Sequence, residues 1–152
     1  MQLRSLYRMR FTYPEEWGVD LTAHGAESRF LFIAEGSCEG YLTGRLRGVN
    51  LPRRRGDGTF QPDFHGAIDT DDGATLLFDL YGYGRAYPPG RRQIVASTVH
   101  VTDAPAYAWL NDVVCAVTGE VRAGEAGSGA VLVADVAELV WEPLSDDGLA
   151  TC

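Results

Sequence analysis

Glycine and proline divide the chain into short runs in which apolar, often β-forming side chains alternate with polar ones. Alternation over a few residues is the pattern of a strand with one buried face, and Val, Thr and aromatic residues favour it. The runs recur at roughly the 8–12-residue spacing of a sandwich or barrel, and no stretch is left for long helical crossovers. The sequence therefore predicts an all-β fold, a single antiparallel β-barrel of about eight strands. The runs are 3–11, 29–34, 41–49, 59–70, 74–83, 93–102, 112–121 and 130–141.

Local signals support this division of the chain. Asp72-Gly73 between two alternating runs is a strong hairpin signal. Residues 130–141 also fit a helical stripe, but their valines and the preceding GEAGSG favour a strand. Residues 104–111 are predicted as one short helical turn, with Pro105 suited to its start. The Gly/Pro clusters at 82–90 and 123–129 are predicted as loops, the first long enough to cover a cavity mouth.

Length and terminal composition indicate one soluble unit. The 152 residues correspond to one domain, predicted over 1–143, with a flexible acidic tail over 144–152. The N-terminal segment lacks the apolar run of a signal peptide, and no stretch approaches the roughly 18 apolar residues of a membrane helix. Three widely spaced cysteines do not form a disulfide framework. We therefore expect a cytoplasmic protein.

Charge and motif content exclude several classes of function. The formal net charge is −8, so nucleic acid and membrane surfaces are not expected partners. All 13 basic residues are arginine, which excludes lysine Schiff-base chemistry. The chain contains no phosphate-binding loop, dinucleotide fingerprint, HExxH or GxSxG motif, and its three histidines share no metal-ligand spacing. The sequence predicts no cofactor and no metal.

Polar side chains on two neighbouring runs are the main candidates for chemistry. Strand alternation places Asp63 and His65 on one face, and Asp79, Tyr81 and Tyr83 on one face of the next run. Hairpin pairing should bring the two sets together. One interpretation is a hydrated outer face, and the other is a polar wall pointing into a ligand cavity. In the second case, a carboxylate beside a histidine would form a general acid–base pair.

A run of three arginines, Arg53 to Arg55, also has two interpretations. The cluster could bind an anionic ligand. Alternatively it forms a solvated turn, which its flanking Pro52 and Gly56 favour.

Several sequence blocks resemble the DUF3237 (UPF0311) family. The blocks are EGSCEG at 35–40, LTGRLRGVNLP at 42–52, DFHGAIDTDDGA at 63–74 and YAWLN at 107–111. The resemblance implies a calycin-like antiparallel β-barrel, commonly oligomeric, and says little about function, although members often sit beside small-molecule or secondary-metabolite genes. Two features depart from the family pattern. His65-Gly66 stands where the family usually has Arg and Tyr, and RRRGDG replaces a GGAD run.

Two function hypotheses remain open. The first is a cofactor-independent cyclase, isomerase or lyase acting on an apolar or aromatic intermediate, and the second is a non-catalytic carrier of such a ligand. The enzyme hypothesis is favoured because a carrier needs no titratable pairs on adjacent strands. A homodimer is expected, because apolar side chains on an outer wall need cover. The predicted catalytic set is Glu39, Asp63, His65 and Asp79, and the predicted substrate-binding set is Tyr81, Tyr83, His100, Trp109 and Asn111.

Overall fold

A computed structural model describes residues 1–87, 91–124 and 129–144. Its elements confirm the predicted all-β fold. Residues 131–140 form a strand, and the predicted helical turn near 104–111 is a 3₁₀ helix. The strands are β1 (Gln2–Val19), β2 (Ser28–Gly40), β3 (Gly44–Asn50), β4 (Arg53–Arg54), β5 (Phe60–Gln61), β6 (Asp63–Thr70), β7 (Thr75–Tyr87), β8 (Arg91–Val101), β9 (Val114–Arg122) and β10 (Val131–Val140). The two 3₁₀ helices are Thr22–His24 and Pro105–Asp112.

The long strands close into an eight-stranded antiparallel barrel. Around the barrel the order is β1, β10, β9, β8, β7, β6, β3 and β2, and β2 pairs with β1 to close the ring. The short strands β4 and β5 bridge β2 and β7 where β3 and β6 do not reach. Neither helix of the described chain has the length and apolar character needed to span a bilayer.

One predicted loop is wrong in part. The cluster at 82–90 was expected to be irregular, but residues 82–87 continue β7 and pair with β8 as far as Tyr87 and Arg91. Glycine weakens a strand without breaking it when a neighbouring strand supplies the hydrogen bonds. Residues 88–90 of that cluster, 125–128 of the second cluster and most of the predicted tail lie outside the described residues.

The predicted hairpin joins β6 to β7. Gly73 has φ of +93°, a backbone conformation that favours glycine, and its N–H donates to the Thr70 carbonyl at 3.0 Å. The turn sets the register in which His65 lies opposite Asp79. Apolar side chains that alternate with these polar ones point into the barrel, among them Phe64 and Phe78, which are 2% and 3% exposed.

The barrel is closed at the end where β8 finishes. Leu110 and Tyr107 of the second 3₁₀ helix are buried there against the core. Asn111 holds this helix in place, because its Oδ1 accepts from the Thr102 N–H at 2.8 Å and its Nδ2 donates to the Thr102 carbonyl at 3.0 Å. Asn111, predicted to bind substrate, therefore has a structural role, and its side-chain amide is occupied by the backbone.

Candidate functional site: a cavity lined by aromatic rings

A cavity of about 200 Å³ lies inside the barrel near its opposite end. Its wall is mainly apolar and includes residues of all eight long strands and of β5. An apolar cavity of about 150 Å³ is enough to bind benzene, so this one has room for a substituted or fused ring. The aromatic lining residues are Phe11, Tyr13, Phe32, Phe60, Phe64 and Phe78.

Ring contacts give the cavity wall its shape. Phe64 stacks on Phe78 with centroids 5.4 Å apart, and Phe11 contacts Phe64 at 5.2 Å. The stack fits because two neighbouring strand positions are glycine. A Cβ on Gly66 would lie 2.5 Å from the Phe78 ring, and one on Gly48 would lie 2.6 Å from the Phe64 ring. The glycines thus let two rings lie flat along the wall, a surface suited to a flat ligand.

One polar pair, Tyr13 and Asn50, belongs to this wall. The Asp63 N–H donates to Asn50 Oδ1 at 3.1 Å, so the amide nitrogen Nδ2 faces Tyr13 and donates to its hydroxyl at 2.9 Å. The Tyr13 hydroxyl therefore accepts from Asn50, and its own proton goes to no other described protein group. Burial raises the pKa of Tyr13 to about 12, so it stays protonated at neutral pH. It is a hydrogen-bond donor available to a ligand.

Two charged side chains line the same cavity near its mouth. The Arg92 guanidinium lies 3.8 Å from the centroid of the Phe60 ring, and Glu16 is exposed. Burial, and then the nearby Arg54, lower the pKa of Arg92. Among the described residues, no group hydrogen-bonds to the buried Nε of Arg92.

The predicted acid–base cluster forms, but on the outer wall of the barrel. His65 Nδ1 lies 2.7 Å from Asp79 Oδ1, and His65 Nε2 lies 2.8 Å from Asp63 Oδ1. The Tyr81 ring meets the imidazole edge-on, with centroids 6.0 Å apart. All four side chains are partly exposed to solvent, and the structure thus selects the hydrated outer face rather than the cavity. The hydrogen bond to Asp79, above all, raises the pKa of His65.

Glu39 does not join this cluster. It is exposed near the end of β2 and lies opposite Arg8 of β1, whereas His65 pairs with Val49 at the far end of β3. The carboxylate therefore cannot share a proton with His65. Within the described parts of the chain, no group of His, Cys, Asp or Glu side chains is arranged to hold a metal ion. The two aspartates of the outer cluster contact opposite nitrogens of one imidazole and do not converge.

The other predicted binding residues also lie away from the cavity. Tyr83 points outward and is 48% exposed. Trp109 lies at the closed end, where its Nε1 donates to the Tyr41 hydroxyl at 3.2 Å. His100 is inside the barrel but below the cavity, with Nε2 2.7 Å from the Tyr7 hydroxyl.

Sequence reasoning missed Tyr13, Asn50 and Arg92. Each lies on a different strand, and no short motif connects them. One usable signal was present, because Phe64 and Phe78 alternate with the polar residues of their hairpin. An eight-stranded barrel fills its interior with side chains, so the aromatic side of this hairpin was the better guide to the inner wall.

Comparisons with known proteins support the fold and do not assign the chain to a family. No protein-family model matches the chain, and no curated protein sequence matches it. The resemblance to DUF3237 therefore stays a prediction. A β-barrel-like protein from Acinetobacter baumannii AYE is similar with a TM-score of 0.75 at 21% identity, covering 90% of this chain and 94% of that one. An enzyme from Penicillium herquei is similar with a TM-score of 0.65 at 23% identity, covering 89% and 93%. A conserved protein of unknown function from Rhodopseudomonas palustris has a TM-score of 0.73 at 15% identity, covering 91% and 97%.

Proposed function

We propose that the protein binds a flat, apolar or aromatic small molecule inside the barrel, with a ligand oxygen accepting a hydrogen bond from Tyr13. The observation that carries this proposal is the pairing of an aromatic inner wall with one oriented donor. Apolar pockets with a few placed polar groups are the usual form of small-molecule sites. The donor sets the orientation of the ligand, and the rings supply most of the binding free energy.

The expected affinity for a simple probe is modest. The ketone 2-acetonaphthone has about 13 non-hydrogen atoms, a flat ring system and one carbonyl acceptor. At roughly −0.3 to −0.5 kcal/mol per atom the binding free energy is about −4 to −6.5 kcal/mol. That corresponds to a Kd between about 1 mM and about 20 µM.

The test is a titration of this ketone followed by NMR, with two matched variants. Val121→Trp places a large ring in the cavity wall and should abolish binding. Val114→Trp makes the same change on the outward face of the same strand, where the side chain is 51% exposed, and should bind like the parent. No binding by the parent, or equal binding by the parent and Val121→Trp, would overturn the proposal.

The role of Tyr13 has its own test. Tyr13→Phe removes the donor and keeps the ring, so affinity for the ketone should fall by roughly 2–12-fold, the usual range for a neutral hydrogen bond. The hydrocarbon 2-isopropenylnaphthalene has a similar shape without the oxygen, and its affinity should not fall. An equal loss for both probes would mean that the variant had damaged the cavity instead.

A cofactor-independent enzyme is the second candidate, and a specific observation favours it. Tyr13 can polarise a carbonyl inside the cavity, and Glu16 offers a carboxylate at the mouth of the same cavity. Together they suit proton transfer next to a carbonyl, the first step of many isomerase and lyase reactions. This assignment moves the acid–base chemistry away from Glu39 and the His65 cluster. The fold similarity to the Penicillium enzyme agrees with catalysis in such a barrel.

Hydrogen–deuterium exchange separates this enzyme from a carrier. The methyl protons of 2-acetonaphthone should exchange in D₂O faster with protein than in buffer, and Glu16→Gln should remove the acceleration. Glu39→Gln is the control, because that carboxylate lies outside the cavity. Exchange at the buffer rate in a protein that binds the ketone would refute the proton-transfer assignment and support the carrier.

A further inference from the structure

Arg92 is placed unlike a surface arginine. It lies on the inward-facing side of β8, opposite Ala86 of β7. Ile94, two residues further along the same face, also lines the cavity. The guanidinium packs on the Phe60 ring, and its Nε is buried without a hydrogen-bond partner among the described residues. A buried polar nitrogen without a partner is energetically costly, and more so when it is charged, so such groups normally have a reason to remain.

A second cation shares the same ring. The Arg54 guanidinium lies 5.7 Å from the Phe60 centroid, so two positive charges sit against one aromatic side chain. Like charges repel, and Arg54 contributes to the lowered pKa of Arg92. Several other arginines are paired with acids, among them Arg8 with Asp135 and Arg47 with Asp69.

The missing partner is not explained by a shortage of acids. The chain carries 21 Asp and Glu residues against 13 arginines. Glu16 lines the same cavity, yet it makes no ion pair with Arg92 in the described part of the chain. An acid group placed beside Arg92 would satisfy Nε and relieve its repulsion with Arg54.

We infer that the ligand of this cavity is an aromatic carboxylate whose acid group binds Arg92 while its ring lies against the phenylalanine wall. This inference rests on the proposed function and names the class of ligand. A guanidinium presents parallel N–H donors that match the two oxygens of a carboxylate, and such charge-assisted pairs are strong when partly desolvated. The acid would lie at the mouth and the ring inside, which agrees with the placement of the charged and aromatic lining residues.

Two probes of nearly equal shape test the inference. 2-Naphthoate carries a carboxylate where 2-acetonaphthone carries a neutral methyl ketone. The parent should bind the naphthoate roughly tenfold more tightly or better, despite its net charge of −8. Arg92→Met keeps an unbranched side chain and should remove that preference, with naphthoate affinity falling roughly tenfold more than ketone affinity.

Arg85→Met is the matched control. Arg85 of β7 lies opposite Gln93 of β8 at the same end of the barrel, is exposed, and follows the buried Gly84. The Arg85→Met substitution removes the same charge from the outer wall, so the preference for naphthoate over the ketone should remain. Arg54→Met should give a partial loss, because Arg54 contacts the ring from farther away.

The possible outcomes distinguish a failure of the carboxylate assignment from a failure of the proposed function. If neither probe binds the parent, the proposed function fails. If the ketone binds and the naphthoate shows no preference, or if Arg85→Met removes the preference as fully as Arg92→Met, only the carboxylate assignment is wrong. If Arg92→Met weakens binding of both probes by the same factor, the carboxylate assignment is also wrong, because the substitution then acts on the cavity and not on the acid group.

Discussion

The buried His100 should make the protein lose stability on mild acidification. Its side chain is 1% exposed, and burial lowers its pKa to about 4. In the unfolded chain the pKa of histidine is about 6.5. In the unfolded state His100 therefore binds a proton below about pH 6.5, whereas in the folded state it binds one only below about pH 4. Stability that is present above the unfolded pKa is lost as the pH falls through this window.

The magnitude follows from the two pKa values. With 6.5 in the unfolded state and about 4 in the folded state, the loss is about 2 kcal/mol at about pH 5 and about 3 kcal/mol at about pH 4. No described group hydrogen-bonds to the Nδ1 of His100, so no acceptor is in place to stabilise a charged ring. Such a loss is a large part of the 5–15 kcal/mol stability of an ordinary domain.

The assay is urea unfolding of the parent and His100→Gln between about pH 7.5 and about pH 5. The variant should be less stable at the higher pH, because it loses the bond to Tyr7 and packs less well. The difference between the two proteins should then shrink by about 2 kcal/mol at the lower pH, since only the parent has this titration. The contributions of carboxylates that titrate in both proteins cancel in the difference between their free energies of unfolding.

His65→Gln gives a contrast of opposite sign. Asp79 and Asp63 raise the pKa of His65, so its ion pairs stabilise the fold at low pH and are lost as the pH rises through the folded pKa. Its difference from the parent should grow slightly on acidification, by less than about 1 kcal/mol because the cluster is exposed. A His100→Gln difference that stays constant within about 0.5 kcal/mol from about pH 7.5 to about pH 5 would refute the burial argument.

Three further outcomes are expected. Gly66→Ala should cost about 1–3 kcal/mol in urea unfolding, because its Cβ would push the Phe78 ring off its stack; a change below about 0.5 kcal/mol would contradict the packing seen here. Asn111→Ala should cost about 1–3 kcal/mol by leaving the Thr102 backbone groups without partners, and an unchanged melting curve would rule out the structural role given to this amide. The homodimer stays a prediction, and exposed apolar pairs such as Leu77 and Val101 on the outer wall support it; light scattering should give twice 16.5 kDa, and 16.5 kDa at micromolar concentration would contradict it.

The sequence by itself determined the approximate positions of the long strands and one register. Alternation and turn residues are local properties, so they place a strand at 131–140 and a turn at Gly73 without knowledge of the rest of the chain. The same locality set the pairing of His65 with Asp79, because a tight turn leaves little freedom in the register of its two strands.

Only the tertiary structure decided which side of each strand became the inner wall. Alternation divides a strand into two faces, but enclosure depends on how eight strands close around one another. Closure put the apolar face of the β6–β7 hairpin inside and left the His65 cluster in water, since burying three titratable groups would cost far more than burying phenylalanines. It also brought together Tyr13, Asn50 and Arg92 from β1, β3 and β8. Their proximity comes from pairings between distant parts of the chain, which no local pattern encodes.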